Sequence, residues 1–425
     1  MTTSTARFTV PPEVLSQLVE QGWQRRPLVI KNAFPAAFLT EQEAFDAWRA
    51  FIQTVPASRW GDLVRVYRGS ERMPNQEQFL PAASDASWDS YLRRLHEQNG
   101  SREWGLCLTD PQSASATVFQ RLLTFLDSLY GRIGIPRGGC NPDLFMMNHE
   151  VSFFRLHKDA EDVFTFVVTG RRRFLLWPFE TFSGIAGLNA SQSRTSHLLF
   201  EVDYDAYRSQ AVVLEASAGD LLYWPAEWWH VGESNGELAV TLAVGIIHHA
   251  NPMGQMIGAA DRLMRRRGER LPSLPWQTAD TAGRTIASYT EWMRDLLADD
   301  GLWTEVRRGL LSWVTRCGLK RVPPPVRRST PLDDEQWLAV TSPSTIACEG
   351  NEASLFCSVG GHDLVLTPGA PAMALLETLS RGGAHRVGAL IDDTLARQPA
   401  ADREQIRALL ETIEAYHGFE RIDPP

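Results

Sequence analysis

Between residues 143 and 244 the apolar positions fall in short runs rich in β-branched and aromatic residues: LFMMN, DVFTFVVTG, RRFLLWP, HLLFEV, AVVLEAS, GDLLYWP and ELAVTLAVGI. Gly, Pro, Asn and Asp separate them, and closely spaced strands of this kind predict an antiparallel sandwich or barrel of about eight strands. Upstream, Leu15, Leu18 and Val19 predict a helix over 11–21, followed by a strand at 28–30 and a second helix over 41–52. The alternation of DLVRVY predicts a strand over 62–67. Further elements follow at 88–96 and at 104–108, the latter read as a short edge strand. Phe119, Leu122, Leu123, Leu126 and Tyr130 recur at helical spacing, so 119–130 is expected to lay an apolar stripe on a sheet.

After Asn251 the period turns helical. Ile286, Tyr289, Met293, Leu296 and Leu297 form one stripe, and Trp303, Val306, Leu310, Trp313 and Val314 form another. Two such stripes without an intervening strand are expected to cover each other or a second copy of the chain. The Pro-rich basic stretch LKRVPPPVRRSTP, 319–331, marks a boundary. Beyond it come short strands near 337–340, 353–357 and 363–366 and two helices, the last carrying Ile406, Leu409, Leu410, Ile413 and Tyr416 on one face. The chain is therefore read as 1–252, a barrel with amino-terminal elaboration; 253–330, a helical region and linker; and 331–425, a small α+β module of winged-helix type.

Chemistry enters within the strand-rich region. Residues two apart on a strand project from one face, so His157 and Asp159 present an imidazole and a carboxylate to one point. A His-x-Asp alone carries little weight. The run GDLLYWPAEWWHVGES supplies a third group, His230. Two His and one carboxylate on one face of an octahedron leave the other positions open, the arrangement of non-haem Fe(II) oxygenases. Asn148, polar at the end of the apolar LFMM run, is expected to point inward and hydrogen-bond in the site. Trp224, Trp228 and Trp229 read either as a wall that excludes water or as barrel packing, with packing expected for at least one. His149, next to Asn148, points to the opposite face, and His248 and His249 follow a strand end and are expected to meet solvent.

Composition narrows the picture. With 425 residues, 44% hydrophobic and 22% charged, the chain is an ordinary globular protein of more than one domain. A net charge of −9 opposes general affinity for nucleic-acid backbones, and the clusters at 265–267 and 320–328 read as a solvated helix end and a linker. Nucleic acid is not an expected direct ligand. Five scattered Cys without a CxxC pair suit reduced thiols better than a disulfide framework or a zinc site. There is no signal-like segment, and apolar stretches such as 242–247 fall far short of the roughly 20 residues of a membrane span, so a soluble cytoplasmic protein is expected.

The segments RRPLVIKNAF, GIPRGGCNPDLFMMN, HKDAEDVFTFVVTGRRRF and GDLLYWPAEWWHVGES together resemble the JmjC and cupin-like Fe(II)/2-oxoglutarate oxygenases, most closely their ribosomal-oxygenase branch. The resemblance is specific over 141–247 and architectural after 253. It implies an α+β chain built on a double-stranded β-helix, or jelly-roll, with flanking helices, a helical dimerisation-type region and a winged-helix-like carboxy-terminal module. It also implies His157, Asp159 and His230 as iron ligands, Arg172 as the grip on the distal carboxylate of 2-oxoglutarate, and Thr241 as a hydroxyl near that cosubstrate. Phe145 stands where relatives carry a Tyr that helps to bind it. The implied cofactors are Fe(II), 2-oxoglutarate and O2. The implied reaction is hydroxylation of a residue in a protein or peptide, by a homodimer, with succinate and CO2 released. N-methyl demethylation and hydroxylation of a small molecule or nucleoside share this chemistry. A non-catalytic cupin-like binding protein and a cupin isomerase using another divalent ion are the readings from other classes.

Overall fold

The computed structural model describes residues 8–425 apart from 70, 75, 101–102, 183, 186–201, 250–251, 269–278, 341, 352–353, 365 and 367–371. Packing divides the chain into two units: Met1–His248 with Cys317–Ser329 and Glu414–Phe419, and His249–Arg316 with Thr330–Ile413 and Glu420–Pro425.

The first unit opens with α1 (Pro12–Gln17), which runs on as a π-helical turn over Leu18–Gly22, then β1 (Leu28–Ile30) and α2 (Glu41–Thr54). Thr40 caps α2 in a reciprocal box with Glu43, satisfying two backbone donors that the helix leaves orphaned. There follow β2 (Val64–Arg68), β3 (Glu71–Arg72), α3 (Trp88–Asn99), β4 (Trp104–Thr109) and α4 (Ala116–Ile133). Eight barrel strands complete the unit: β5 (Cys140–Met147), β6 (His157–Lys158), β7 (Asp162–Thr169), β8 (Arg171–Trp177), β9 (Val212–Ser217), β10 (Leu221–Trp224), β11 (Trp229–Glu233) and β12 (Ala239–Ile246). The expected strand HLLFEV falls largely on 197–201, outside the described residues.

Strands β5 to β12 distribute between two antiparallel sheets, with local orders β10-β7-β12-β5 and β6-β11-β8-β9. This is the double-stranded β-helix of the cupin type. The larger sheet is extended by β1 beyond β10 and by β4, β2 and β3 beyond β5. So β4 is an internal strand and not an edge. Its continuous apolar run, buried from Trp104 to Leu108, is the mark of a strand covered on both faces.

Strand period decides which side chains reach the interior. Along β7, Phe164, Phe166 and Val168 face outward to the helices, where Phe125 of α4 meets Phe166 edge-on with centroids 4.9 Å apart. Val163 and Val167 face the space between the sheets and pack with Leu222, Trp224, Phe174 and Leu176. The large sheet is thus buried on both faces, which fixes its register firmly, because a one-residue slip would exchange the two sets. Gly170 makes the tight passage from β7 to β8 at φ +76°, where a Cβ would lie 2.1 Å from the Leu238 carbonyl oxygen.

The second unit begins with α5 (Pro252–Arg267), α6 (Ala279–Ala298) and α7 (Asp300–Thr315). Ala259, Leu263, Leu296 and Leu302 bury one another, while Ile286, Tyr289, Leu297, Trp303, Leu310 and Val314 remain exposed. The carboxy-terminal stretch holds β13 (Trp337–Val340), β14 (Ile346–Asn351), β15 (Ser354–Val359), β16 (His362–Leu364), α8 (Ala372–Leu379), β17 (Gly383–Arg386), α9 (Val387–Arg397), α10 (Arg403–Ala415) and β18 (Glu420–Ile422). Three helices therefore stand where two were expected. The strands form two three-stranded sheets, β17-β13-β18 and β14-β15-β16. Cys348 and Cys357 face each other across β14 and β15 and are disulfide-bonded, correcting the expectation of reduced thiols for this pair; Cys107, Cys140 and Cys317 are buried free thiols. No described helix is long and apolar enough to cross a membrane.

Candidate metal centre

His157 on β6 and His230 on β11 are directly paired across the smaller sheet, and Asp159 follows one residue after β6. Each imidazole is oriented by its own chain. His157 Nδ1 lies 2.9 Å from the Arg155 carbonyl oxygen and His230 Nδ1 lies 3.0 Å from that of Trp228. A carbonyl only accepts, so each Nδ1 carries the hydrogen and each Nε2 offers a lone pair. His230 Nε2 is 3.4 Å from Asp159 Oδ2, and one ligand atom from each of the three residues falls within a 4.8 Å span. Both His are buried and Asp159 is partly so. Two imidazole nitrogens and one carboxylate oxygen at this spacing fit an open-faced Fe(II) site.

The three groups line a cavity of about 420 Å³ between the sheets. Arg172 on β8 reaches the same cavity, is only 3% exposed, and pairs through its strand with Ala216. Its Nε and Nη1 find no hydrogen-bond partner among the described residues. Burial pushes its pKa down to about 10, the direction expected of a cation taken out of water. The guanidinium lies 5.1 Å from the centre of the Phe174 ring, and Nη2 fills the place beside Gly232 where a Cβ would come within 2.6 Å of it. A buried, unpaired guanidinium is costly unless an anion arrives to pair with it.

Thr241 on β12 is buried and lines the cavity opposite Phe145 of β5. The β12/β7 register shifts between Val240 and Thr241, a bulge of the kind that re-aims side chains beside sites. Asn148 is not brought into this cavity. Its Oδ1 accepts from the Trp104 amide at 2.7 Å, closing the β4/β5 ladder, and the polar role expected of it is spent on backbone. Trp224 walls the cavity 5.0 Å from the His230 ring, whereas Trp229 packs on the outer side against Phe182. His149 is buried against Phe153, its pKa lowered to about 4 by burial and then by Arg172. His248 does not simply meet solvent: it pairs with the buried Asp162, while His249 is exposed.

The model of the cupin-like domain family matches residues 16–251. The chain belongs to the cupin-like family. Its fold is similar to the X-ray structure of Escherichia coli ycfD, with a TM-score of 0.52 at 14% identity over 98% of this chain and 100% of that one. The structures of YcfD described as a ribosomal oxygenase in complex with cobalt and succinic acid, and with cobalt and 2-oxoglutarate, each give 0.50 at 15% identity over the same shares. At these identities the likeness is one of fold, and it meets the expectation of a cupin-like barrel. No curated protein sequence matches the chain significantly.

Several cavity residues of this cupin-like chain escape a motif reading. Thr165 is 2% exposed, with its hydroxyl unpartnered among the described residues, and it was signalled by a polar position between the inward Val163 and Val167. Gly232 was signalled by a glycine inside a strand, which marks close approach of another group. On the far wall Arg65 lies 3.5 Å from Asp143 and donates to Thr109 at 3.2 Å. Burial, then the Asp159 and Asp143 carboxylates, push the neighbouring Glu161 up to about 7.

Proposed function

We propose that this chain is an Fe(II)- and 2-oxoglutarate-dependent oxygenase that hydroxylates a C–H bond of an amino-acid residue in a protein or peptide. The observation that carries the reading is the buried, unpaired Arg172 in the same cavity as the converging His157, Asp159 and His230. A metal ion alone does not call for a buried guanidinium nearby; a dicarboxylate that reaches from the metal to an anchor does.

In this reading His157 and His230 donate Nε2 and Asp159 a carboxylate oxygen to iron, leaving its remaining positions open. Arg172 grips the distal carboxylate with parallel N–H donors, geometry that a lysine would not reproduce. Thr241 offers a hydroxyl from the larger sheet. Phe145 provides ring surface and no hydroxyl, so Arg172 carries more of the anchoring. Trp224, Phe174 and Phe154 present apolar surface to the cavity, and where they exclude water the charge interactions strengthen. When bound, iron and 2-oxoglutarate supply the oxidising chemistry and release succinate and CO2.

The exposed apolar residues of α6 and α7 support a homodimer, with these helices covered by a second copy. The description of the fold neighbours as ribosomal oxygenases makes ribosomal proteins the first substrates to try.

The decisive experiment supplies Fe(II), 2-oxoglutarate and O2 with ribosomal proteins and then a peptide pool, following succinate release and product mass. A gain of one oxygen supports hydroxylation, and loss of a methyl carbon supports demethylation instead. Asp159→Ala is expected to abolish iron binding and turnover while the fold persists; unchanged turnover in that variant would remove the triad from the chemistry. Absence of both iron binding and 2-oxoglutarate turnover in the wild type would favour a non-catalytic binding protein.

A further inference from the structure

Asp162 begins β7 three residues after Asp159 and is 1% exposed. Its carboxylate gathers two other segments of the chain and, through Tyr223, a third. Oδ1 accepts from the Tyr223 hydroxyl at 3.0 Å and from the Ala226 backbone amide at 2.9 Å, while Oδ2 pairs with the His248 imidazole. The Tyr223 oxygen in turn accepts from the Gln24 amide at 2.8 Å. The Trp23 ring lies against Tyr223 and His248, with centroids 6.0 and 5.6 Å away.

The loop held through Ala226 is the one that leads into His230. It is fastened to the Asp159 loop twice more: the Glu227 amide donates to the Asp159 carbonyl at 2.8 Å, and the Glu227 carboxylate pairs with Lys158. Glu227 itself holds φ +67°, a conformation unfavourable for a non-glycine residue that persists only where its surroundings impose it. The Asp159 loop and the turn that leads into β11 therefore depend on the same carboxylate, although that carboxylate is not itself in the ligand cluster.

We infer that Asp162, with Tyr223 and His248, is a positioning device for the metal centre, setting the approach of Asp159 to His230 by clamping the Asp159 loop to the turn that leads into β11. The inference rests on the reading of His157, Asp159 and His230 as metal ligands. It places the device on the side of β7 away from the Arg172 anchor, so its loss acts on the metal and not on the anion grip.

The test is titration of metal-free protein with Co(II), following the visible absorption of the bound ion, with no turnover involved. Asp162→Asn keeps the volume but loses the charge, and is expected to weaken Co(II) binding by about tenfold or more, the scale on which groups that orient ligands act. Asp220→Asn is the control: it removes another buried carboxylate, one that accepts from Asn32, Ser217 and Lys31 at a remote turn, and should lower thermal stability with Co(II) affinity unchanged. Should Asp162→Asn fail to fold, Tyr223→Phe removes one bond of the clamp and is expected to give a smaller loss in the same direction. Co(II) affinity unchanged in the folded Asp162 or Tyr223 variant, or reduced equally by Asp220→Asn, overturns the inference alone. No Co(II) binding by the wild type overturns the metal reading beneath it.

Discussion

Gly232→Ala tests the arginine anchor without altering the arginine. The added Cβ would fall 2.6 Å from Arg172 Nη2, 3.2 Å from Phe174 Cε1 and 3.4 Å from Ser152 Cβ. Non-bonded heavy atoms settle at about 3.5–4.0 Å, so the guanidinium has to retreat by about 1 Å. The backbone offers little relief, because Gly232 is paired with Phe174 across β8 and its carbonyl accepts from the Ser152 amide at 2.8 Å. A retreat of that size takes one of two parallel hydrogen bonds to a carboxylate out of range. Such a bond to a charged group is worth about 1.5–3 kcal/mol, or about 10–150-fold in affinity. Anaerobic titration of the Fe(II)-loaded protein with 2-oxoglutarate, read from the charge-transfer absorption, should show that loss, while Co(II) affinity stays at the wild-type value. A folded Gly232→Ala protein with undiminished 2-oxoglutarate affinity would refute the placement of the anchor.

Arg172→Ala should weaken 2-oxoglutarate at least as much as Gly232→Ala and leave Co(II) binding intact; equal turnover across all 2-oxoglutarate concentrations would exclude Arg172 from the site. His149 bears on pH. Its folded pKa of about 4 lies below the ordinary 6.5, so the unfolded chain binds more protons between those values and stability falls as pH drops through that window. The difference amounts to about 3 kcal/mol. Thermal melts at pH 7 and pH 4.5 should show a steeper acid loss in the wild type than in His149→Leu, and parallel losses would contradict the assignment. For assembly, Trp303→Glu combined with Ile286→Glu should shift the sedimenting species from dimer to monomer; a wild type already monomeric at micromolar concentration would end the homodimer reading.

The barrel was legible because its strands are short β-branched and aromatic runs separated by Gly, Pro, Asn and Asp, and the β1 span was read residue for residue. The juxtaposition of the three groups was legible because His157 and Asp159 stand two residues apart where β6 ends, and the paired β11 brings His230 alongside. Asn148 misled for a physical reason: a polar residue at a strand end is as well used by a neighbouring strand's backbone as by a cavity, and periodicity does not separate the two. The internal position of β4 was hidden because the strands beyond it, β2 and β3, lie earlier in the chain. β17 and β18, GAHR and ERI, lack the apolar alternation that announces a strand and exist through pairing with β13. The Cys348–Cys357 bond was likewise invisible to spacing alone, since facing positions follow from the hairpin register.

The two imidazoles are each aimed by a carbonyl only two residues earlier, in the turn that leads into the strand. Their direction is a local property, independent of the residues that line the rest of the cavity. The aim of the imidazoles and the lining of the rest of the cavity are accordingly set by different residues. On the proposed reading, replacements at Arg65, Asp143 or Glu161 would retune what enters the cavity while the imidazoles keep their direction. One metal centre would then serve different polypeptides without being rebuilt.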